Sequence, residues 1–140
     1  MRLITVKTLL LLEDEPLVMK LLRHMLKRYD LIAVTTGEEA LQAFDNPDRP
    51  VDLLITDVRL PPHLSGIQVA LRIRSVRPLF PIVLMSGYPL GAWRGADGAD
   101  LEQLGSESVI LLQKPFQTEA LLGAVYGLLG ESLTGTARPA

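Results

Sequence analysis

Five short apolar runs, alternating with segments of helical spacing, constrain this chain more than any other feature. The runs are "VKTLLLLE" (6–13), "LIAVT" (31–35), "VDLLITD" (51–57), "IVLMS" (82–86) and "SVILLQ" (108–113). Each is too short for a core helix and little interrupted by polar residues, the pattern of strands buried on both faces. After the first run, Pro16 suits the opening turn of a helix. Leu17, Val18, Leu21, Leu22 and Met25 then recur at helical spacing, with Lys20, Arg23, Lys27 and Arg28 mostly opposite, which predicts a helix to about Tyr29. "TGEE" (36–39) has the form of a capping box and opens a helix through about Phe44. "IQVALRIRSV" (67–76) and "TEALLGAVYGLLG" (118–130) predict two more helices, the last weakened by Gly123 and Gly127. "NPDRP" and "RPLFP" are breaks. Residues 87–107 carry Gly91, Gly95, Gly98 and Gly105, so a fourth helix is expected to be short or irregular, with Leu90, Trp93, Leu101 and Leu104 as anchors.

Strands alternating with helices imply an α/β fold: a parallel sheet covered by helices on both faces, a three-layer sandwich. Two connection orders are plausible, and five strands fit the flavodoxin-like order 2-1-3-4-5, in which ligands sit beyond the carboxyl ends of strands 1 and 3. The length of 140 residues suits one domain, expected over 1–130, with 131–140 as a disordered tail. A net charge of −2 gives no electrostatic footprint for nucleic acid or an anionic membrane. The absence of cysteine excludes disulfide scaffolds, cysteine-based zinc sites and thiol catalysis. "TLLLL" is too short for a signal-peptide core, and no run reaches membrane-spanning length. The expectation is a soluble, cytoplasmic protein.

The informative residues follow the strands. Glu13, Asp14 and Glu15 follow the first, Asp57 ends the third, Ser86 ends the fourth, and Lys114 follows the fifth, before Pro115. In a parallel sheet all lie along one edge, and the acids of strands 1 and 3 converge. Carboxylates that close raise one another's pKa, a conflict that a hard divalent cation resolves. Oxygen-only ligands favour magnesium, which shares its coordination sphere with phosphate. Carboxylate, magnesium, hydroxyl and lysine together describe a phosphoryl-binding site, in which an aspartate can act as nucleophile.

The motifs "LLLLEDEP" (9–16), "LLITDVRLP" (53–61), "IVLMSGY" (82–88) and "LLQKPF" (111–116), in that order, make the chain resemble a response-regulator receiver domain of two-component signalling. "MSGY" and "LLQKPF" are similar to receivers linked to hybrid sensor kinases. The resemblance implies that Asp57 is the phosphoacceptor. It makes Asp14, Asp57 and the backbone carbonyl of Arg59 magnesium ligands, with Glu13 acting through water. It assigns phosphoryl binding and switching to Ser86 and Lys114, and a cis bond to Pro115. A histidine kinase or histidine phosphotransfer protein is the implied donor, with a downstream protein as output and a homodimer as an option. Leu111 stands where the family's switch aromatic usually sits, and the "PPHLSG" loop is one residue longer than the commonest form.

Two other readings use the same residues. A haloacid-dehalogenase-like phosphatase also has an aspartate nucleophile and magnesium, but usually shows a second aspartate two positions on, where this chain has Arg59. A pseudo-receiver keeps the fold without phosphorylation, against which Asp14, Asp57 and Lys114 all stand. His24, His63 and Trp93 read as bland surface, loop and anchor residues. No glycine-rich nucleotide loop is present.

Overall fold

The computed structural model describes residues 6–58, 64–87 and 95–131, the side chains of 95–97 excepted. Arg59, His63, Leu90, Gly91, Trp93 and the tail from 132 onward lie outside the described residues. The elements run β1 (Thr8–Leu12), α1 (Pro16–Met25), β2 (Asp30–Val34), α2 (Gly37–Asp45), β3 (Leu53–Asp57), α3 (Gly66–Val76), β4 (Ile82–Ser86), α4 (Gly95–Leu104), β5 (Val109–Gln113) and α5 (Thr118–Leu129).

All strand pairs are parallel, and the sheet order is β2-β1-β3-β4-β5. Leu9 lies opposite both Leu31 and Leu53, and Ile82 opposite both Leu54 and Val109, so the five strands share one register. Strand alternation sorts the core into two layers. Leu10, Leu12, Leu54, Ile82 and Leu84 face α2, α3 and α4, with Ile67, Val69, Ala70 and Ile73 packed over them. Leu9, Leu11, Leu53, Ile55, Val83 and Met85 face α1 and α5, under Leu22, Leu26, Leu121 and Val125. Strands β1 and β4 are buried along their whole length, which explains why they show no polar alternation.

Local chemistry sets the helix starts. Thr36 accepts from Glu39 N and Glu39 Oε1 accepts from Thr36 N, the capping box expected from "TGEE". Ser65 and Gln68 form a second box at α3. The sequence misplaces two features. The first helix ends at Met25 and not near Tyr29. The chain instead turns there, with Tyr29 N donating to Leu26 O, and Asp30 N bonds Lys7 O to start β2 alongside β1. The fourth helix is neither short nor irregular: it runs ten residues, the length of α1. Leu104 is buried and Leu101 half-buried in the α3-facing layer, so packing supplies what the glycines lack in propensity.

Candidate functional site

The carboxyl ends of β1, β3 and β4 and the residue after β5 meet at one rim of the sheet. Glu13 is wholly buried there. Its Oε2 accepts from the backbone amides of Asp14 (3.0 Å) and Glu15 (3.2 Å), and its Oε1 from Lys114 Nζ (3.0 Å). The same Nζ donates to Asp57 Oδ2 at 3.1 Å. Asp14 is exposed beside them, and one carboxylate oxygen from each of Glu13, Asp14 and Asp57 lies within 4.8 Å of the other two. Ser86 ends β4 nearby, and its carbonyl accepts from Lys114 N at 2.7 Å, which continues the β4–β5 ladder past the strands into the site. The Lys114–Pro115 peptide bond is cis.

The backbone explains the convergence. Val58 N donates to Met85 O, holding the end of β3 against β4. Lys114, one position past β5, reaches back over β4 toward Asp57 on a side chain that keeps 23% of its area exposed. Burial raises the pKa of Glu13, against the Lys114 bond that lowers it. Burial likewise raises that of Asp57, against Lys114 and with a smaller push from Asp14. Burial works to lower the pKa of Lys114, but its bonds to Glu13 and Asp57 outweigh this, and the net direction is up. One ammonium thus pairs with two of three close carboxylates, an oxygen-rich cluster that suits a hard divalent cation.

Of the residues singled out from sequence, Glu13, Asp14, Asp57, Ser86 and Lys114 stand along this rim. Arg59 and His63 lie outside the described residues, and His24 is exposed near the end of α1. Sequence reasoning missed a contact under Asp57. The hydroxyl of Thr56 donates to the Asp57 carbonyl (2.8 Å), and a Cβ on Gly66 would fall 1.7 Å from that same oxygen. A threonine within an otherwise apolar run was the available signal. A cavity of about 430 Å³ opens beside Glu13 and Asp14, walled by Lys20, Arg23 and Thr35.

The profile of the family described as "Response regulator receiver domain" matches residues 9–126. The chain belongs to that family. This receiver domain is 38% identical over 82 residues to the alkaline phosphatase synthesis transcriptional regulatory protein PhoP of Bacillus subtilis, covering 57% of this chain and 33% of that protein. It is 29% identical over 130 residues to the transcriptional regulatory protein GlrR of Escherichia coli, covering 91% of this chain and 27% of that one. The receiver domain therefore spans a third or less of the length of these relatives. A response regulator receiver protein from Sinorhizobium medicae superposes with a TM-score of 0.76 at 29% identity, over 89% of this chain and 95% of that one. The signal receiver domain of an HD domain-containing protein from Pseudomonas fluorescens gives 0.76 at 25% identity, over 90% and 96%. Among the described residues, no helix is long and apolar enough to cross a membrane.

Proposed function

We propose that this receiver domain accepts a phosphoryl group on Asp57 from a phosphohistidine donor, with magnesium, and that the modification switches a partner-binding surface. The observation that carries this reading is the Lys114 ammonium shared between Asp57 Oδ2 and the buried Glu13, with Asp14 alongside. In the reaction Asp57 Oδ attacks phosphorus, the bond from phosphorus to the donor imidazole nitrogen breaks, and that nitrogen leaves as neutral imidazole once protonated. Lys114 pairs with a phosphoryl oxygen, and the Ser86 hydroxyl offers a donor to another. Asp14, Asp57 and the Arg59 carbonyl are the proposed metal ligands, with Glu13 acting through water. Magnesium, when bound, supplies Lewis-acid neutralisation of the phosphoryl oxygens. Attack of water on the acyl phosphate returns free Asp57, so the same site limits the lifetime of the signal.

The proposed switch is a shift of Ser86 and Lys114 toward the phosphoryl group, carried outward by β5 and the 87–107 segment. Leu111, half-buried in β5, takes the place of the usual aromatic in that step.

A protein donor has a suitable approach over α1. Leu17 is 82% exposed and Leu21 52%. Leu21 lines an apolar groove of about 370 Å³ with Met25 and Phe116, and Lys114, which bonds Asp57, lines it too. Exposed Lys20 and Arg23 edge the same helix, and exposed Lys27 lies just past its end. The surface fits a donor with an apolar ridge and an acidic border.

The test is to incubate the chain with acetyl phosphate, with and without magnesium, and to record intact mass. One phosphoryl group gained only with magnesium, and lost in Asp57→Ala, supports the reading. Turnover of assorted phosphoesters favours a dehalogenase-like phosphatase, and no gain favours a pseudo-receiver.

A further inference from the structure

Thr56 places a wholly buried hydroxyl in a layer of hydrocarbon. Strand alternation sets its side chain on the sheet face of Leu54 and Val58, beneath α3. A buried hydroxyl carries a desolvation cost that valine, of nearly the same shape, avoids. The hydroxyl donates to the carbonyl of Asp57 at 2.8 Å.

That carbonyl sits where the sheet gives out. The β1–β3 ladder ends at the pair Leu12–Thr56, and beyond it the Asp14 amide turns to Glu13 Oε2. The opposite side is closed by α3. Gly66 N donates to Val58 O at 3.0 Å, and the Gly66 backbone lies so near that an added Cβ would stand 1.7 Å from Asp57 O and 2.3 Å from Thr56 Oγ1. The Asp57 carbonyl is thus held between a hydroxyl and a helix start.

We infer that Thr56 is a positioning residue for the Asp57 carboxylate. Its hydroxyl fixes the peptide plane from which the Asp57 side chain leaves the strand, and so holds the carboxylate toward Lys114 before a phosphoryl group arrives. The inference rests on the reading of Asp57 as phosphoacceptor. A displacement of the reacting oxygen well under 1 Å is enough to slow an in-line displacement, so loss of the hydroxyl is expected to slow phosphorylation about tenfold.

The experiment follows the mass of the full chain over time at saturating acetyl phosphate and magnesium, for wild type, Thr56→Val, Thr56→Ala and Thr56→Ser, with thermal unfolding of each recorded alongside. The expected result is slow labelling at saturating donor in the valine and alanine chains, both folded, and recovery toward the wild-type rate in the serine chain. Should the valine chain not fold, the alanine–serine comparison decides. Wild-type rates in a folded chain without the hydroxyl, or serine no faster than alanine, overturn the inference. A wild-type chain that gains no phosphoryl group overturns the phosphoacceptor reading instead.

Discussion

Asp57 is held where its charge is unwelcome. Burial raises its pKa, so the folded chain binds that proton more tightly than the unfolded chain does. Its contribution to stability is therefore fully present below the ordinary carboxylate range and is lost as pH rises from that range through the raised folded value. Asn at this position has no such loss. In the absence of divalent cations, Asp57→Asn is expected to unfold at a higher temperature than wild type at neutral pH, and the gap is expected to close as pH falls and Asp57 protonates. Paired melting curves over pH check this. Gly66 makes a harsher demand: alanine there puts a methyl 1.7 Å from the Asp57 carbonyl oxygen, and backbone must move. Gly66→Ala should cost about 2 kcal/mol or more in denaturant unfolding and should also slow labelling of Asp57. At this scale the sequence was informative about side chains and silent about backbone. Four strand-end motifs named Glu13, Asp14, Asp57, Ser86 and Lys114. The closeness of Thr56 and Gly66 to one carbonyl is a matter of backbone placement, which no spacing records.

Among elements, α1 and α4 show where periodicity fails and why. The apolar spacing of α1 continues to Leu26, but the Asp30–Lys7 backbone bond commits the chain to β2 and ends the helix early. In α4 the glycines argued against a helix that tertiary contact makes regular. Leu104, 6% exposed, anchors it to the α3 layer. Leu104→Ala should destabilise the domain by about 2–4 kcal/mol. Hydrogen exchange should show α4 amides losing protection before those of α3, whose core includes Ile67, Val69 and Ala70. Nearly equal loss in both helices would mean that α4 stands on its own propensity. On the opposite face, α1 exposes Leu17 beside its basic edge. Leu17→Asp should slow transfer from a phosphohistidine protein more than transfer from acetyl phosphate. Equal effects on both donors would place the approach elsewhere.

For the whole molecule, the parallel sheet was legible from the alternation of buried runs and helices, and of the two plausible orders the chain adopts β2-β1-β3-β4-β5. That order makes β1 and β3 neighbours and so brings residues from 13 to 114 to one rim. The end of α1 was less legible, since it is settled by the long-range backbone bond between Asp30 and Lys7. The central claim, that this rim transfers a phosphoryl group to Asp57, is tested most directly by trapping the product. Treatment of the phosphorylated chain with borohydride reduces an aspartyl phosphate to homoserine, and peptide mass spectrometry then locates it. The expected result is homoserine at position 57, formed only when both phosphodonor and magnesium were present. Homoserine at Asp14 or another aspartate, the longer alcohol at a glutamate, or no reduced residue in a chain that has bound magnesium, would contradict it.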